Sequence, residues 1–237
     1  MELAEAVARH DVDPSAVEPL RRILEALERE PDPQTTVDAA DAVDVHVADS
    51  LAGLIVPEVR EARAIADLGA GPGFPGLPLA VALPRARVDL IESAGRKAEL
   101  IGRLIEAAGI DNARPVRARA EEWAAVEAGR TPAQGRAAYD VVCARAVGPL
   151  AVLAEYAAPL LVDGGVLVAW KGSRDAAEEA SARTAADAVG LEPAGVVQVE
   201  PYPGSRDRHL HLYRKSRPTP ARFPRRPGMA VKRPLGG

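Results

Sequence analysis

The glycine-rich stretch from Ala64 to Gly76 constrains the fold of this chain more than any other segment. It opens with a short apolar run that ends at Asp67, and glycines then stand at positions 69, 71 and 73. A helical pattern follows from Pro75 to about Leu83. A strand, a tight glycine turn and a helix in this order are typical of a doubly wound α/β sheet, which holds a nucleotide-like ligand against the helix N-terminus.

The same glycines fit two ligand-binding motifs. Gly71-x-Gly73-x-x-Gly76 matches the dinucleotide fingerprint, whereas Asp67-x-Gly69-x-Gly71-x-Gly73 matches the turn that binds S-adenosylmethionine (AdoMet) in many methyltransferases. An acid two residues before the first glycine favours AdoMet, because a carboxylate attracts its ammonium group and repels a pyrophosphate. A turn with a purely structural role is the third interpretation of this segment.

Strand and helix patterns alternate after this turn, as they do in a mostly parallel sheet. Strands are predicted at 64–68, 86–91, 114–118, 139–143 and 166–170, and a terminal antiparallel hairpin at 194–200 and 209–213. The predicted fold class is α/β, a Rossmann-like class I AdoMet-dependent methyltransferase with a mostly parallel seven-stranded sheet. Three regions are expected: an N-terminal helical extension (1–60), the methyltransferase domain (61–215) and a basic Pro- and Arg-rich C-terminal tail (216–237).

Length and composition narrow the class of protein further. No apolar run in the 237 residues approaches the ~20 that cross a bilayer, and the N-terminus does not resemble a signal peptide. The single cysteine, Cys143, excludes an internal disulfide and a cysteine-based zinc site, and its apolar strand predicts a buried thiol. We therefore expect a cytoplasmic protein with no membrane partner and no bound metal.

The charge is distributed unevenly along the chain. From Ser205 to Gly237 there are ten Lys or Arg and one acid, Asp207, a local balance of +9 that leaves −13 for residues 1–204, since the whole chain carries −4. A basic tail on an acidic body is typical of nucleic-acid binding. The Pro- and Arg-rich composition beyond Lys215 predicts a segment that is extended or disordered when free.

Charged residues also stand at or just past the ends of successive strands. They are Asp67, Glu92, Glu121 and Arg145. Ligands of this fold bind beyond the carboxyl ends of the strands. Glu92 comes 23 residues after Gly69, the distance at which an acid accepts both ribose hydroxyls, and Ala120 and Glu121 would reach an adenine. Together these residues predict an AdoMet pocket.

The residues after the fourth strand narrow the methyl acceptor. Amino-group methylases of this fold carry Asn/Asp-Pro-Pro-aromatic at this place, where the chain has Arg145-Ala146-Val147. Cys143 lacks the proline partner of base C5-methylases, whose cysteine attacks the ring. The acceptor is then an atom with its own lone pair, such as guanine N7, and catalysis rests on proximity and orientation.

His46 and Asp49 lie three residues apart on a helix predicted over about 38–54. We interpret them as a hydrogen-bonded pair on the helix surface.

These motifs resemble the RsmG (GidB) family of bacterial 16S ribosomal RNA guanine-N7 methyltransferases over roughly residues 38–235. The matching segments are His46-x-x-Asp49-Ser50-Leu51, Asp67 to Pro78, Arg119 to Glu122, Ala144 to Ala146, Trp170-Lys171-Gly172, Arg208-His209-Leu210 and the basic tail. With the strand-end pattern, the resemblance implies AdoMet contacts from Asp67, Gly69, Gly71, Gly73, Phe74, Glu92, Ala120, Glu121 and Arg145. It implies RNA contacts from Arg119, Lys171, Arg208, Arg222, Arg225 and Arg226, with Arg145 also positioning the acceptor.

One segment departs from the family pattern. Members usually carry Asn-Leu-Thr before the His-x-x-Asp-Ser-Leu helix, and residues 32–37 here read Asp-Pro-Gln-Thr-Thr-Val. Either Gln34 or Thr35 takes the place of that asparagine, or its role is absent from this chain. The resemblance implies 16S ribosomal RNA or the small ribosomal subunit as the partner, and a monomer is expected.

Two other functions follow from the same residues. Gly71-x-Gly73-x-x-Gly76 is compatible with a nucleotide-dependent oxidoreductase of the NAD type, although no residues for hydride transfer are evident. A non-catalytic binder that acts in ribosome assembly is the third possibility. Binding of NAD, or RNA binding without turnover, distinguishes these from a methyltransferase.

Overall fold

The protein is built around a seven-stranded sheet with the strand order β3-β2-β1-β4-β5-β7-β6. The computed structural model describes residues 1–125 and 135–236, so that 126–134 in the predicted domain and Gly237 in the predicted tail lie outside the described residues. The strands are β1 (Ala64–Leu68), β2 (Arg87–Glu92), β3 (Ala113–Arg117), β4 (Tyr139–Arg145), β5 (Leu161–Lys171), β6 (Leu191–Val199) and β7 (Arg208–Lys215). β1 to β5 pair in parallel, and β7 is antiparallel to β5 and β6. The predicted fold class and terminal hairpin are confirmed.

The strand order reverses at the centre of the sheet. From β1 the chain moves outward to β2 and β3 and then returns to β4 on the other side of β1. Leu68 at the end of β1 is in register with Ala144 in β4. The loop after β1 and the end of β4 therefore lie side by side at the switch point, where ligands of this fold bind.

Two apolar layers cover the two faces of the sheet. Alternation along β1 sends Ile65 to one layer and Ala66 to the other, and Val142 and Cys143 in β4 divide likewise. The helices described between β1 and β6 are α5 (Gly76–Ala82), α6 (Gly95–Ala108), α7 (Ala120–Ala124), α8 (Leu150–Ala157) and α9 (Ala176–Val189). Cys143 is fully buried, as predicted, and burial raises the pKa of its thiol. Within the described residues, no helix is both long and apolar enough to span a membrane.

The N-terminal extension shares its core with one face of the sheet. It comprises α1 (Leu3–Arg9), α2 (Val17–Arg29), a 3-10 turn (Ala39–Asp41), a π-helical segment (Val43–Ala48), α3 (Asp49–Leu51), a second 3-10 turn (Ala52–Ile55) and α4 (Pro57–Glu61). Leu20, Ile23 and Leu27 of α2 are buried in the same cluster as Ile65. The helix predicted over 38–54 is thus divided, because a wider π-helical turn replaces regular α-helix there.

The C-terminal tail lies on the core, unlike the extended segment expected from its composition. Phe223 and Ala230 are buried, and a short helix, α10 (Met229–Lys232), follows Gly228. The Arg136 guanidinium donates to the carbonyl of Phe223 at 2.9 Å. Composition alone predicts an extended segment because it contains no information about the core residues with which individual tail residues pack or form ion pairs.

Candidate active site

A cavity of about 530 Å³ opens beyond the carboxyl ends of β1 and β4. Its lining combines the glycine loop, the end of β4 and the segment before the π-helix: Asp32 to Thr36, His46, Gly69 to Pro72, Phe74, Lys97, Arg145 and Ala146. A volume between ~300 and 1,000 Å³ is usual for a small-molecule site. A cavity of suitable size therefore lies at the sheet edge where the ligand pocket is predicted, and the N-terminal extension forms part of its wall.

Glu92, at the end of β2, stabilises the conformation of the glycine loop. Gly69 and Gly71 adopt left-handed φ values of 61° and 58°. The buried Glu92 carboxylate accepts hydrogen bonds from the Gly71 N–H at 3.0 Å and from the Ala94 N–H at 2.8 Å. Because a carboxylate accepts about four hydrogen bonds, Glu92 keeps capacity for the ribose contact predicted from its position.

Asp67 lies behind the loop rather than in the cavity. Its side chain is fully buried, and its Oδ2 accepts a hydrogen bond from the Gly76 N–H at 2.8 Å. Its Oδ1 has no partner among the described residues. Burial raises the pKa of this carboxyl to about 7. Direct contact between Asp67 and a ligand ammonium group was expected, but in the structure Asp67 instead fixes the start of α5. Because the carboxyl is buried, its charged form is unfavourable.

The raised pKa of Asp67 predicts a specific pH dependence of stability. The folded protein holds this proton up to about pH 7, whereas an unfolded aspartate loses it near pH 4, so the free energy of unfolding falls as pH rises between these values. In Asp67→Asn the neutral amide takes the place of the protonated acid, and this contribution disappears. Urea unfolding of both proteins at pH 4.5, 6 and 8 measures it: a wild-type curve parallel to that of the variant contradicts the prediction.

Arg145, at the end of β4, is fixed by the N-terminal extension. Its Nη1 donates to the Asp49 carboxylate at 2.8 Å and to the Val45 carbonyl at 2.7 Å. The Trp170 indole N–H donates to the backbone carbonyl of Asp49 at 2.8 Å. Trp170 fits because Gly53 has no side chain: a Cβ there would lie 2.4 Å from the indole ring. The guanidinium is thus held in one orientation at the cavity wall.

His46 makes contacts other than the predicted hydrogen bond with Asp49, and that prediction is wrong. Its ring stacks on Phe74 with centroids 4.1 Å apart, and its Nε2 lies 3.1 Å from the Thr35 hydroxyl. His46, in the π-helical segment, and Asp49, at the start of α3, are both buried. Burial and the nearby Arg145 lower the pKa of His46 to about 4, so the imidazole is neutral at pH 7.

A second cavity, of about 220 Å³, adjoins the first and shares Arg145 with it. Its lining also includes Asp49, Trp170, Lys171 and Arg208. The Lys171 ammonium pairs with Glu178 at 2.7 Å. The buried Nε of Arg208 has no acceptor among the described residues. This pocket therefore places cationic donors beside the first cavity. Lys171 and Arg208 were predicted as site residues only from the resemblance to the family.

The remaining predicted residues lie at the start of α7 and in the tail. Arg119 is exposed just before α7, where Ala120 is half-buried. The buried Glu121 accepts a hydrogen bond from the Gly228 N–H of the tail at 2.8 Å. Arg222 and Arg226 are exposed, whereas Arg225 is paired with Glu155. The structure thus separates Arg225 from the other cations that were predicted to contact RNA.

Sequence reasoning missed Asp49 and Trp170 as partners that orient Arg145. Neither periodicity nor charge pattern signals them, because Asp49 and Arg145 are 96 residues apart. The three meet only through the packing of the π-helical segment against the ends of β4 and β5. Their one sequence signal is that each lies within a motif of the resemblance, His-x-x-Asp-Ser-Leu, Ala-Arg-Ala or Trp-Lys-Gly.

The sheet order and the cavity at its switch point define the class I methyltransferase fold, and solved structures agree. Aeropyrum pernix fibrillarin, solved with natively bound S-adenosyl-L-methionine, has a TM-score of 0.51 at 21% identity, covering 70% of this chain and 72% of that one. A predicted O-methyltransferase from Agrobacterium tumefaciens has a TM-score of 0.53 at 25% identity, covering 72% and 81%.

The family model described as GidB, rRNA small subunit methyltransferase G, matches residues 34–210, and the chain belongs to this family. A ribosomal RNA small subunit methyltransferase G from Rubrobacter xylanophilus is 43% identical over 195 residues, which are 81% of this chain and 72% of that protein. The protein of the same name from Pelotomaculum thermopropionicum is 39% identical over 191 residues, or 80% and 77%. The resemblance stated from the motifs is confirmed.

Proposed function

We propose that this protein methylates N7 of a guanine in 16S ribosomal RNA, with AdoMet as the methyl donor. The observation that carries the proposal is the position of Arg145, which Asp49 fixes between a cavity of cofactor size and a smaller, cationic pocket. A donor site and an acceptor site that share one oriented side chain suit group transfer between two bound molecules. Family membership and the fold support the same reaction.

The residues of the larger cavity fit AdoMet. Gly71 has open space where a side chain would stand, so a ligand can approach the backbone there. Phe74 and the neutral His46 form one wall of the cavity. Glu92 is not among the lining residues, but it accepts a hydrogen bond from the Gly71 N–H of the loop and retains acceptor capacity for ribose hydroxyls. When bound, AdoMet supplies an electrophilic methyl group. The acid expected for the ammonium group is less accessible than predicted, since Asp67 is fully buried.

The smaller pocket supplies what an RNA guanine needs. Arg145 uses Nη1 for Asp49 and Val45, and within the described part of the chain no acceptor meets its Nε and Nη2, which are donors suited to guanine O6. Lys171 and Arg208 carry charge suited to backbone phosphates. N7 attacks with its own lone pair, so these residues need to orient the base and need not remove a proton.

Asp49 also matters for the charge of the product. Methylation at N7 leaves the guanine ring positively charged, and an isolated guanidinium beside it would oppose that charge. The Asp49 carboxylate, 2.8 Å from Arg145, offsets this repulsion while keeping the donors in place.

Thr35, whose hydroxyl contacts His46, is the stronger candidate for the role of the family's asparagine, because Gln34 makes no comparable contact among the described residues.

Methyl transfer tests the proposal directly. The purified protein is incubated with methyl-labelled AdoMet and small ribosomal subunits that lack their native modifications, and the RNA is digested to nucleosides. Label in 7-methylguanosine supports the proposal, and label in another nucleoside overturns the N7 assignment. Saturable NAD binding without label favours the oxidoreductase, and tight RNA binding without label favours an assembly factor. A monomeric, cytoplasmic enzyme is part of the same proposal.

A further inference from the structure

The tail alternates between residues that face solvent and residues fixed to the core. Arg222 and Arg226 are exposed, whereas Phe223 is 2% exposed and Arg225 is largely covered. Two kinds of arginine therefore occur within five residues of one segment. An exposed arginine can contact a phosphate, but a covered one serves the protein itself.

Arg225 links the tail to the core through an ion pair. Its Nε and Nη2 donate to the two carboxylate oxygens of Glu155 in α8 at 2.6 and 2.5 Å, and Nη2 also donates to the Arg233 carbonyl at 2.9 Å. The Glu155 side chain is only 2% exposed. A buried carboxylate without a partner is strongly unfavourable, so the structure requires Arg225 at this place.

Three residues further on, the tail reaches the helix that follows β3. The Gly228 N–H donates to Glu121 Oε1 at 2.8 Å, at the start of α7. Glu121 is 5% exposed, and Gly228 is one of the groups in contact with its carboxylate. Because β3 is parallel and adjacent to β2, the start of α7 lies at the same sheet edge as Glu92 and the glycine loop.

We infer that residues 222–229, called the strap below, position the start of α7, where Ala120 and Glu121 are predicted to reach the adenine of AdoMet, with Arg225 as a positioning residue that acts through Gly228 and Glu121. The inference rests on the proposed AdoMet site. It goes beyond the family model, whose match ends at residue 210. The strap thus serves the cofactor side through Arg225, while Arg222 and Arg226 are left for the RNA.

The neighbouring arginines allow a matched test. In Arg225→Ala the strap loses its link to Glu155, and we expect AdoMet to bind roughly three- to thirtyfold more weakly, the range by which residues outside a site modulate affinity. The KM for AdoMet should rise while kcat at saturation changes little. In Arg226→Ala the AdoMet affinity should equal that of the wild type and the KM for RNA should rise. Calorimetric titration of AdoMet without RNA separates the two effects.

Two further variants guard against a folding defect. A chain that ends at Ala221 and carries Glu155→Gln lacks the strap without leaving Glu155 as an unpaired charge, and it should bind AdoMet as weakly as Arg225→Ala. The double variant Glu155→Leu/Arg225→Met replaces the ion pair by an apolar pair and should restore the affinity.

The outcomes are separable. Wild-type affinity in the shortened chain, or equal losses in Arg225→Ala and Arg226→Ala, would overturn the inference while AdoMet binding by the wild type still supports the proposed function. A wild-type chain that binds no AdoMet overturns both.

Discussion

Replacing Arg145 by lysine should lower kcat for methyl transfer about 100-fold, the loss that follows when a reacting group is misplaced by about 1 Å. A lysine keeps the positive charge beside Asp49, but it lacks the planar fork that donates in two directions from one fixed position. The acceptor base would then be held less rigidly. Single-turnover kinetics with labelled AdoMet and saturating RNA measure the chemical step.

Arg114→Lys is the matched control for this prediction. Arg114 also donates to a buried aspartate, Asp89, at 2.7 Å, but it does so between β2 and β3 and away from both cavities. The same substitution should disturb an ion pair there without changing kcat. Equal losses in the two variants, or wild-type kcat in Arg145→Lys, would show that the orientation of Arg145 does not matter for catalysis.

The parts of the fold that were predictable are local in sequence. The end of β1, the glycine turn and the helix that follows it depend on apolar spacing and on residues that adopt left-handed conformations. The terminal hairpin was predicted from two apolar runs with a turn cluster between them. In each case neighbouring residues suffice, so the sequence pattern and the structure agree.

The less predictable parts depend on distant contacts. The contact of Arg145 with Asp49 spans 96 residues, and that of Arg225 with Glu155 spans 70. The charge pattern of the sequence identifies neither Asp49 nor Glu155 as a partner. The composition of the tail predicts an extended segment, because composition does not show which carboxylate each guanidinium binds. Asp67 shows the same limit: its position at a strand end is readable from sequence, but its full burial is set by packing around Gly76.

The second large expected effect concerns the glycine loop, where Gly71 and Gly73 have different roles. In Gly71→Ala the added Cβ meets open space, its nearest neighbour being the Gly69 carbonyl oxygen at 3.9 Å, although its φ of 58° costs about 1–2 kcal/mol. The protein should fold, but the methyl group stands where a ligand approaches the loop. We expect AdoMet to bind roughly 10- to 100-fold more weakly, in line with the ~1–3 kcal/mol of overpacking.

Gly73→Ala should instead damage the fold itself. A Cβ at this position would lie 2.4 Å from Leu77 Cδ1 and 2.8 Å from Leu77 Cγ, and Leu77 is fully buried. With its φ of 105°, overpacking and backbone strain together should lower the free energy of unfolding by about 2–6 kcal/mol. Urea unfolding and AdoMet titration of both variants form the test. If Gly71→Ala loses as much stability as Gly73→Ala while binding AdoMet normally, then Gly71 is needed for the turn alone, and the cofactor does not approach the backbone there.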